Sequence, residues 1–290
     1  MNEEAGTNRH LSPGRLAWLR LRRNRMAITG VAVVLLISVA SVIGPWVSPY
    51  QYDQQALEKR YRPPSRQHWL GTDMLGRDVL TRIFVGGRIS LAVGLCATSV
   101  SLLIGVLYGA ISGYLGRRAD QIMMRIVDML YGLPYMFFVI ILVVVFGRNI
   151  INLFIALGAV QWLTIARITR GQVLALRHRD FVQAARAQGL RKRRIIFRHL
   201  LPNALGPVIV YATLTIPGVM LQEAFLSFLG LGVQPPLPSW GTLVSDGVEA
   251  MEVYSWLLIC PAVVLALMLF SLNALGDGLR DALDPQMGRR

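Results

Sequence analysis

Residues with chemical capability are few in this chain, and their placement excludes most chemistry. ATP hydrolysis on a phosphate loop needs a glycine-rich turn ending in Lys and Ser or Thr, so that backbone amides and an ammonium grip the phosphates. The two lysines, Lys59 and Lys192, follow Glu58 and Arg191, and neither closes such a turn. The four histidines, His10, His68, His178 and His199, are scattered and form no H-x-x-x-H or H-E-x-x-H pair, so no metal site is predicted. Cys96 and Cys260 each lie in an apolar stretch and read as small core residues. No G-x-S-x-G elbow accompanies the serines. The chain is expected to be no enzyme and to hold no cofactor; if ATP drives it, the ATPase is another subunit.

Four charged residues fall within or near apolar stretches: Asp128, Arg148, Arg167 and Glu223. A charge in lipid is expensive, so each should face a partner, a water-filled path or an interface. Glu223, in MLQEAFLSFLGLG, has two readings: it lines or gates a path, or it sits near the outer helix end, tied to backbone amides of the glycine-rich turn that follows. The second is preferred, because the carboxylate then has a short route to water. Pro134, Pro207, Pro217 and Pro261 fall inside stretches, and Gly105, Gly109 and Gly113 recur every four residues. Prolines remove helix hydrogen bonds and small residues let helices approach closely. A bundle that bends would use both; ordinary polytopic packing would too, and Pro217 is marked with Glu223 as a candidate gating or path residue.

The elements that carry these residues are membrane spans. With 54% apolar residues and uncharged runs of about 20 residues, the chain exposes too much continuous apolar surface for a soluble domain. Six spans are predicted: Met26 to Val47, Ile89 to Leu115, Ile126 to Phe146, Ile150 to Ala166, Leu205 to Val233 and Tyr254 to Leu275. The fourth is the shortest and carries Gln161 and Trp162. Lipid offers no partner for backbone polar groups, and the runs lack strand alternation, so the fold class is all-α and polytopic. The net charge of +14 sits mostly between spans, which points to lipid and topology and away from nucleic acid. Six basic residues precede the first span, three lie between Gly116 and Arg125, and ten lie between Arg167 and Pro202 against one acid. Those segments are predicted to be cytoplasmic. Gly232 to Val253 has no Lys or Arg and three acids, as an outward loop would. Arg15 to Arg25 alternates cations with Leu16, Trp18, Leu19 and Leu21, and reads either as an interfacial helix on the inner leaflet or as a plain positive flank.

The segment Asp180 to Pro202, DFVQAARAQGLRKRRIIFRHLLP, is the most partner-like part of the chain. Ala184 and Ala185 would let a short helix seat deeply in a partner's groove. Gly189 would end that helix, and Pro202 would keep the next one from running unbroken into the following span. The basic run Arg191 to Arg194 would face acidic partner residues, lipid phosphates or solvent. Elsewhere, Gly71, Thr72, Asp73 and Gly76 read as a turn and helix cap, with Arg77 and Asp78 available for a local ion pair. Pro235, Pro236, Pro238 and Trp240 read as a rigid outward loop whose aromatic rests at the interface. That loop could also receive a binding protein.

This segment resembles the cytoplasmic motif of ABC importer permeases, E-A-A-x-x-x-G, nine residues, then I-x-L-P. Gln183, Ala184, Ala185, Gly189, Leu201 and Pro202 fall on that spacing, with Gln183 in place of the acid and His199 in place of the aliphatic residue. WLGTDMLGRDVLTRIFVGGRISLAVG at Trp69 to Gly94, AFLSFLGLGVQPPLPSWGTLVSDG at Ala224 to Gly247 and GDGLRDALDP at Gly276 to Pro285 are similar to the peptide-importer branch, in the same order. The match covers nearly the whole chain, Met1 to Gly14 excepted, and is nearest to the C-type permeases of the oligopeptide/dipeptide family.

The resemblance implies six transmembrane helices of the type I importer permease fold and a cytoplasmic coupling helix carrying Phe181, Gln183, Ala184 and Ala185. It divides the chain into a cytoplasmic N-terminus (1–25), a permease domain (26–275) and a cytoplasmic tail (276–290). Within the permease domain it places outward loops at 48–88 and 232–253 and a coupling loop at 167–203. It implies a bacterial inner-membrane location with both termini cytoplasmic, and a homologous second permease subunit. Two cytoplasmic ATPase subunits would use ATP and Mg, and an extracytoplasmic peptide-binding protein would deliver oligopeptides. Dipeptides or nickel chelates are the alternative cargo. In a different class, a secondary transporter would need ion-coupling groups in mid-span, of which the spans offer few.

Overall fold

Backbone polar groups in lipid must be satisfied within their own segment, and every regular element among the described residues is a helix. The structure, a computed structural model, describes residues 13–283. Expectations falling on residues 1–12 and 284–290, His10 and the end of the Gly276 to Pro285 motif among them, lie outside the described residues.

A first helix, α1 (Pro13–Arg23), stacks Arg22 over the exposed Trp18 ring. Asn24 then caps α2 (Arg25–Val47), its Oδ1 accepting from Ala27 N at 3.1 Å. The buried residues of α2 are small, Ala27, Gly30 and Ser41, whereas Leu35, Leu36 and Trp46 are exposed. That inversion suits a helix whose outer face meets lipid and whose inner face gains only by close approach. Its neighbour is α11 (Trp256–Leu283): a Cβ on Gly30 would stand 2.7 Å from the Ser271 carbonyl oxygen.

The longest helix is α3 (Val79–Leu115), whose 37 residues begin ten residues before the predicted span. At 1.5 Å per residue it is about 55 Å long, well beyond a bilayer core. It runs parallel to α6 (Ile150–Leu176), which itself extends past the predicted Ala166. Gly105 packs on Ile165, Gly109 on Ala166 and Thr169, and Gly113 on Val173, so the register rises in step on both helices. Ser101 Oγ, bonded to Ala97 O at 2.8 Å, also reaches Gly158 O at 3.0 Å on the partner helix. Gly109→Leu is expected to force these helices apart, because a Cβ there would meet Thr169 Cβ at 2.9 Å with little room to give. Overpacking of this kind costs about 1–3 kcal/mol. A drop in the melting temperature of the solubilised protein would be the readout.

The predicted third span, Ile126 to Phe146, is not one straight helix. It divides into α4 (Arg117–Tyr131) and α5 (Tyr135–Phe146), whose axes differ by 84°. Pro134 supplies no N–H and disfavours a helical conformation at Leu133, which falls in the bend between the two helices, while the Gly132 amide closes α4 by donating to Asp128 O. Among the described residues, five helices are long and apolar enough to cross a membrane, or six if this bent pair forms one span.

After α6 come α7 (Asp180–Ala187), α8 (Lys192–Ile195) and a π-helical turn (Ile196–Leu200), which leads directly into α9 (Leu201–Phe228). Ser239 then starts α10 (Trp240–Glu249) with a capping box: its hydroxyl accepts from Thr242 N, and Thr242 Oγ1 accepts from Ser239 N. Trp240 corrects an expectation. It is 0% exposed, far from resting at an interface, and its indole N–H donates to Ile83 O at 3.0 Å. Space for the ring exists because Gly87 lacks a side chain: a Cβ there would stand 2.8 Å from Trp240 Cζ2. Around it Val79, Ile83, Met220, Leu243 and Met268 form one core.

The segment before α3 is folded against that core. Asp78 caps α3, accepting from Thr81 N at 2.9 Å, and also meets His68 Nδ1 at 2.9 Å. Arg77 pairs with Asp73 at 2.7 Å, so the two residues expected to offer an ion pair take separate partners. Tyr61 stacks on Tyr254 with ring centres 4.2 Å apart, tying this segment to the approach to α11.

Candidate functional site

The partner-like segment is built as a short amphipathic helix with one face glued to its own chain. Asp180 lies in the first turn of α7, where a carboxylate suits the helix dipole. Val182 and Ala185 are buried, the latter at 3% exposure, in a cluster with Ala110 of α3, Val173 of α6, Ile195, Ile196 and Leu200 of the following turns, and Ala204 of α9. Phe181, Gln183, Ala184 and Gln188 remain exposed on the other side.

This divides the alanine pair. Sequence spacing assigned both Ala184 and Ala185 to a partner's groove; the structure turns Ala185 inward, because adjacent residues lie about 100° apart on a helix. Phe181 and Ala184, three apart, share the outer face. The Gln183 amide nitrogen donates to His178 O at 3.0 Å, a bond that an acid at this position could not donate.

Gly189 closes α7 as expected. Its φ of +72° lies in the left-handed region, Leu190 N returns to Ala185 O at 3.2 Å, and Gly189 N returns to Arg186 O at 2.9 Å. Those two bonds make a Schellman cap, and Leu190 supplies its apolar contact with the buried cluster. Arg191, Lys192, Arg193 and Arg194 are all exposed.

Pro202 does not stop the helix. Lys192 to Phe228 forms one continuous helical run, and Pro202 stands at its second α9 position, exposed, beside the buried Leu201. The π-helical turn accounts for this: Leu201 N reaches five residues back to Ile196 O, re-phasing the ladder before the proline removes its donor. Asn203 Nδ2 donates to His199 O at 2.6 Å, so side-chain hydrogen bonding supports the disturbed turn.

The end of α6, from which the segment emerges, is tied to its neighbours through charge. Arg177 Nη1 donates to Gly113 O at 3.1 Å at the end of α3, and Arg170 grips Asp120 of α4 with two bonds of 2.6 Å each. The buried face of α7 thus packs against the ends of α3, α6 and α9, and α6 in turn holds α4 through the Arg170–Asp120 ion pair.

Glu223 and Pro217, the candidate path residues, both lie buried in α9. Glu223 is 1% exposed, and its Oε1 accepts from Ser227 Oγ and Ser239 Oγ at 2.7 Å each. The expected tether to backbone amides is replaced by hydroxyls, and the carboxylate joins α9 to the cap of α10. Of the other flagged charges, Arg167 bonds Asp128 at 2.7 Å. Sequence reasoning missed Asp73 as a hub; the i, i+4 spacing to Arg77 was its available signal. No group of three or more His, Cys, Asp or Glu side chains able to hold a metal occurs among the described residues.

Comparison with known proteins follows the same lines. The profile of the N-terminal TM domain of oligopeptide transport permease C matches residues 12–64. The oligopeptide transport system permease protein OppC of Haemophilus influenzae is 49% identical over 279 residues, spanning 94% of this chain and 90% of that protein. The dipeptide transport system permease protein DppC of Bacillus subtilis is 47% identical over 274 residues, spanning 94% and 86%. Among solved structures, a chain of the MetNI methionine ABC transporter in inward-facing conformations superposes with a TM-score of 0.58 at 19% identity, covering 71% of this chain and 96% of that one. The helical architecture is that of type I importer permeases. The profile of binding-protein-dependent transport system inner membrane components matches residues 105–289, from the middle of α3 onward. A multi-pass helical membrane protein, the chain belongs to the family of binding-protein-dependent transport system inner membrane components.

Proposed function

We propose that this chain is the C-type permease subunit of an ATP-driven importer that takes up oligopeptides delivered by a binding protein. It forms half of the translocation path and works with a homologous second permease and two cytoplasmic ATPase subunits, which use ATP and Mg. The observation that carries this reading is α7: a short helix with Val182 and Ala185 rooted in a core shared by three long helices, and Phe181 and Ala184 offered outward. Closure of the ATPases would press on that outer face, and the shared core would move the ends of α3, α6 and α9 as a body. This is two-state access biased from another subunit. The basic segments set the orientation: α1, the turn before α4 and the α7 region face the cytoplasm of a bacterial cell.

Family membership leaves no place for a secondary transporter. Dipeptide cargo remains a second reading, supported by the similarity to DppC.

Pull-down of the tagged chain from native membranes, followed by ATP hydrolysis measured on the eluate, tests the proposal. Two ATPases and a second permease should co-purify, and peptide with its binding protein should raise the rate. A chain that purifies alone and still moves solute in liposomes would overturn it.

A further inference from the structure

Polar groups from otherwise apolar helices converge on one cavity at the break between α4 and α5. It measures about 310 Å³ and is lined by Tyr131 and Tyr135 at the break, Gln161 and Thr164 of α6, and Gln222 of α9, among Leu and Phe side chains. Gln222 Oε1 accepts from the Tyr135 hydroxyl and from Gln161 Nε2, the latter at 2.9 Å. Tyr131 Oη and Thr164 Oγ1 are 3.0 Å apart. Each glutamine thereby spends half its amide: Gln161 Oε1 and Gln222 Nε2 make no hydrogen bond to a described side chain. Both side chains are only partly buried, so these free halves stand open to a polar partner that enters the cavity.

The polar face continues along α6 at three-residue steps, Gln161, Thr164, Arg167 and Arg170, and α4 answers with Tyr131, Asp128 and Asp120. The Arg167 guanidinium lies 4.2 Å from the centre of the Tyr131 ring, so the cavity adjoins a wider cleft of about 880 Å³ that includes Asp128, Arg167 and Arg170. The cavity lining itself carries no formal charge. Neutral amides and hydroxyls match a peptide main chain, donor for acceptor and acceptor for donor, and select for no side-chain charge.

Resting on the permease function argued above, we propose that Gln161 and Gln222, with Tyr135, form a main-chain recognition site on the wall of the translocation path. A passing peptide takes up the free halves of the two amides and draws them from their mutual bond. Broad acceptance of peptide side chains follows, because the site reads only what all peptides share.

The test uses the whole complex with its binding protein in proteoliposomes and tetra-alanine as probe. Gln161→Leu combined with Gln222→Leu should cut uptake about tenfold, the loss expected of two hydrogen bonds made in transit, while the co-purifying subunits remain in the same ratio. Thr164→Cys, in a Cys96→Ala and Cys260→Ala background, should react with a membrane-impermeant maleimide during turnover, and tetra-alanine should slow that reaction. Wild-type uptake with unchanged uptake by the double variant overturns the site alone. So does an unreactive Thr164→Cys, since the second permease would then cover the cavity as an ordinary packing surface. Absence of uptake by the wild-type complex removes the permease reading, and this site with it.

Discussion

Ala184→Trp is expected to abolish coupling to ATP hydrolysis while leaving the chain folded, and Ala185→Trp is expected to do the reverse. Ala184 is exposed on the outer face of α7, so an indole there disturbs nothing within the chain. Against a partner that must approach closely, the misfit costs about 1–3 kcal/mol, or roughly ten- to hundredfold in docking. Ala185 is sealed among Val173, Ile195, Leu200 and Ala204, and a large side chain there spends the same overpacking energy on folding. Peptide-stimulated ATP hydrolysis and the melting temperature of the purified complex separate the two. Stimulation should collapse for Ala184→Trp at near-normal melting, whereas Ala185→Trp should melt early. Equal effects on both readouts would mean that the helix is not divided between an inner and an outer face.

Asp73→Ala should be the most damaging single change to stability. Asp73 Oδ2 accepts from Arg77 Nε at 2.7 Å and from Arg82 Nη1, and Oδ1 accepts from the Leu75 and Arg77 amides at 2.9 Å each. One carboxylate thus pairs with two buried guanidiniums and closes the turn ahead of α3. Removing it leaves both cations in a site with little water, a loss of about 3–5 kcal/mol. Asp246 cannot stand in: its Oδ2 is 3.5 Å from Arg82 Nη1 and its side chain is nearly half exposed. Asp246→Ala should accordingly cost less than about 1 kcal/mol. Thermal denaturation of the two variants side by side checks the contrast; comparable losses would show that the charge, and not Asp73's position, is what matters.

Composition made the membrane bundle legible, since long apolar runs in lipid leave helices as the answer. The spacing from Gln183 to Pro202 marked the partner-like helix, and Gly189 closes it in the predicted way. Several features escaped for physical reasons. Pro134 announced a kink, but its 84° angle depends on how α5 packs against its neighbours, which no local pattern encodes. Pro202 read as a stop because a π-helical turn that shifts the ladder before a proline has no clear signature of its own. Trp240, in a proline-rich run, looked like an interface aromatic; its burial depends on Gly87, far away in sequence. Likewise the split of Ala184 from Ala185 requires knowing which side of α7 meets the bundle. Gln161 had looked like a weakness in a short span, yet its partner Gln222 lies 61 residues on.

The most direct test of the account is site-specific cross-linking of α7 in the assembled complex. Phe181→Cys and Ala184→Cys, each in a chain with Cys96→Ala and Cys260→Ala, should form cross-links to a co-purifying ATPase subunit with a short thiol-to-amine reagent. Val182→Cys, on the buried face, should form none. Cross-links from Val182→Cys but not from Phe181→Cys or Ala184→Cys, or none from any of the three in a complex that hydrolyses ATP, would contradict the assignment of the outer face of α7 as the ATPase contact.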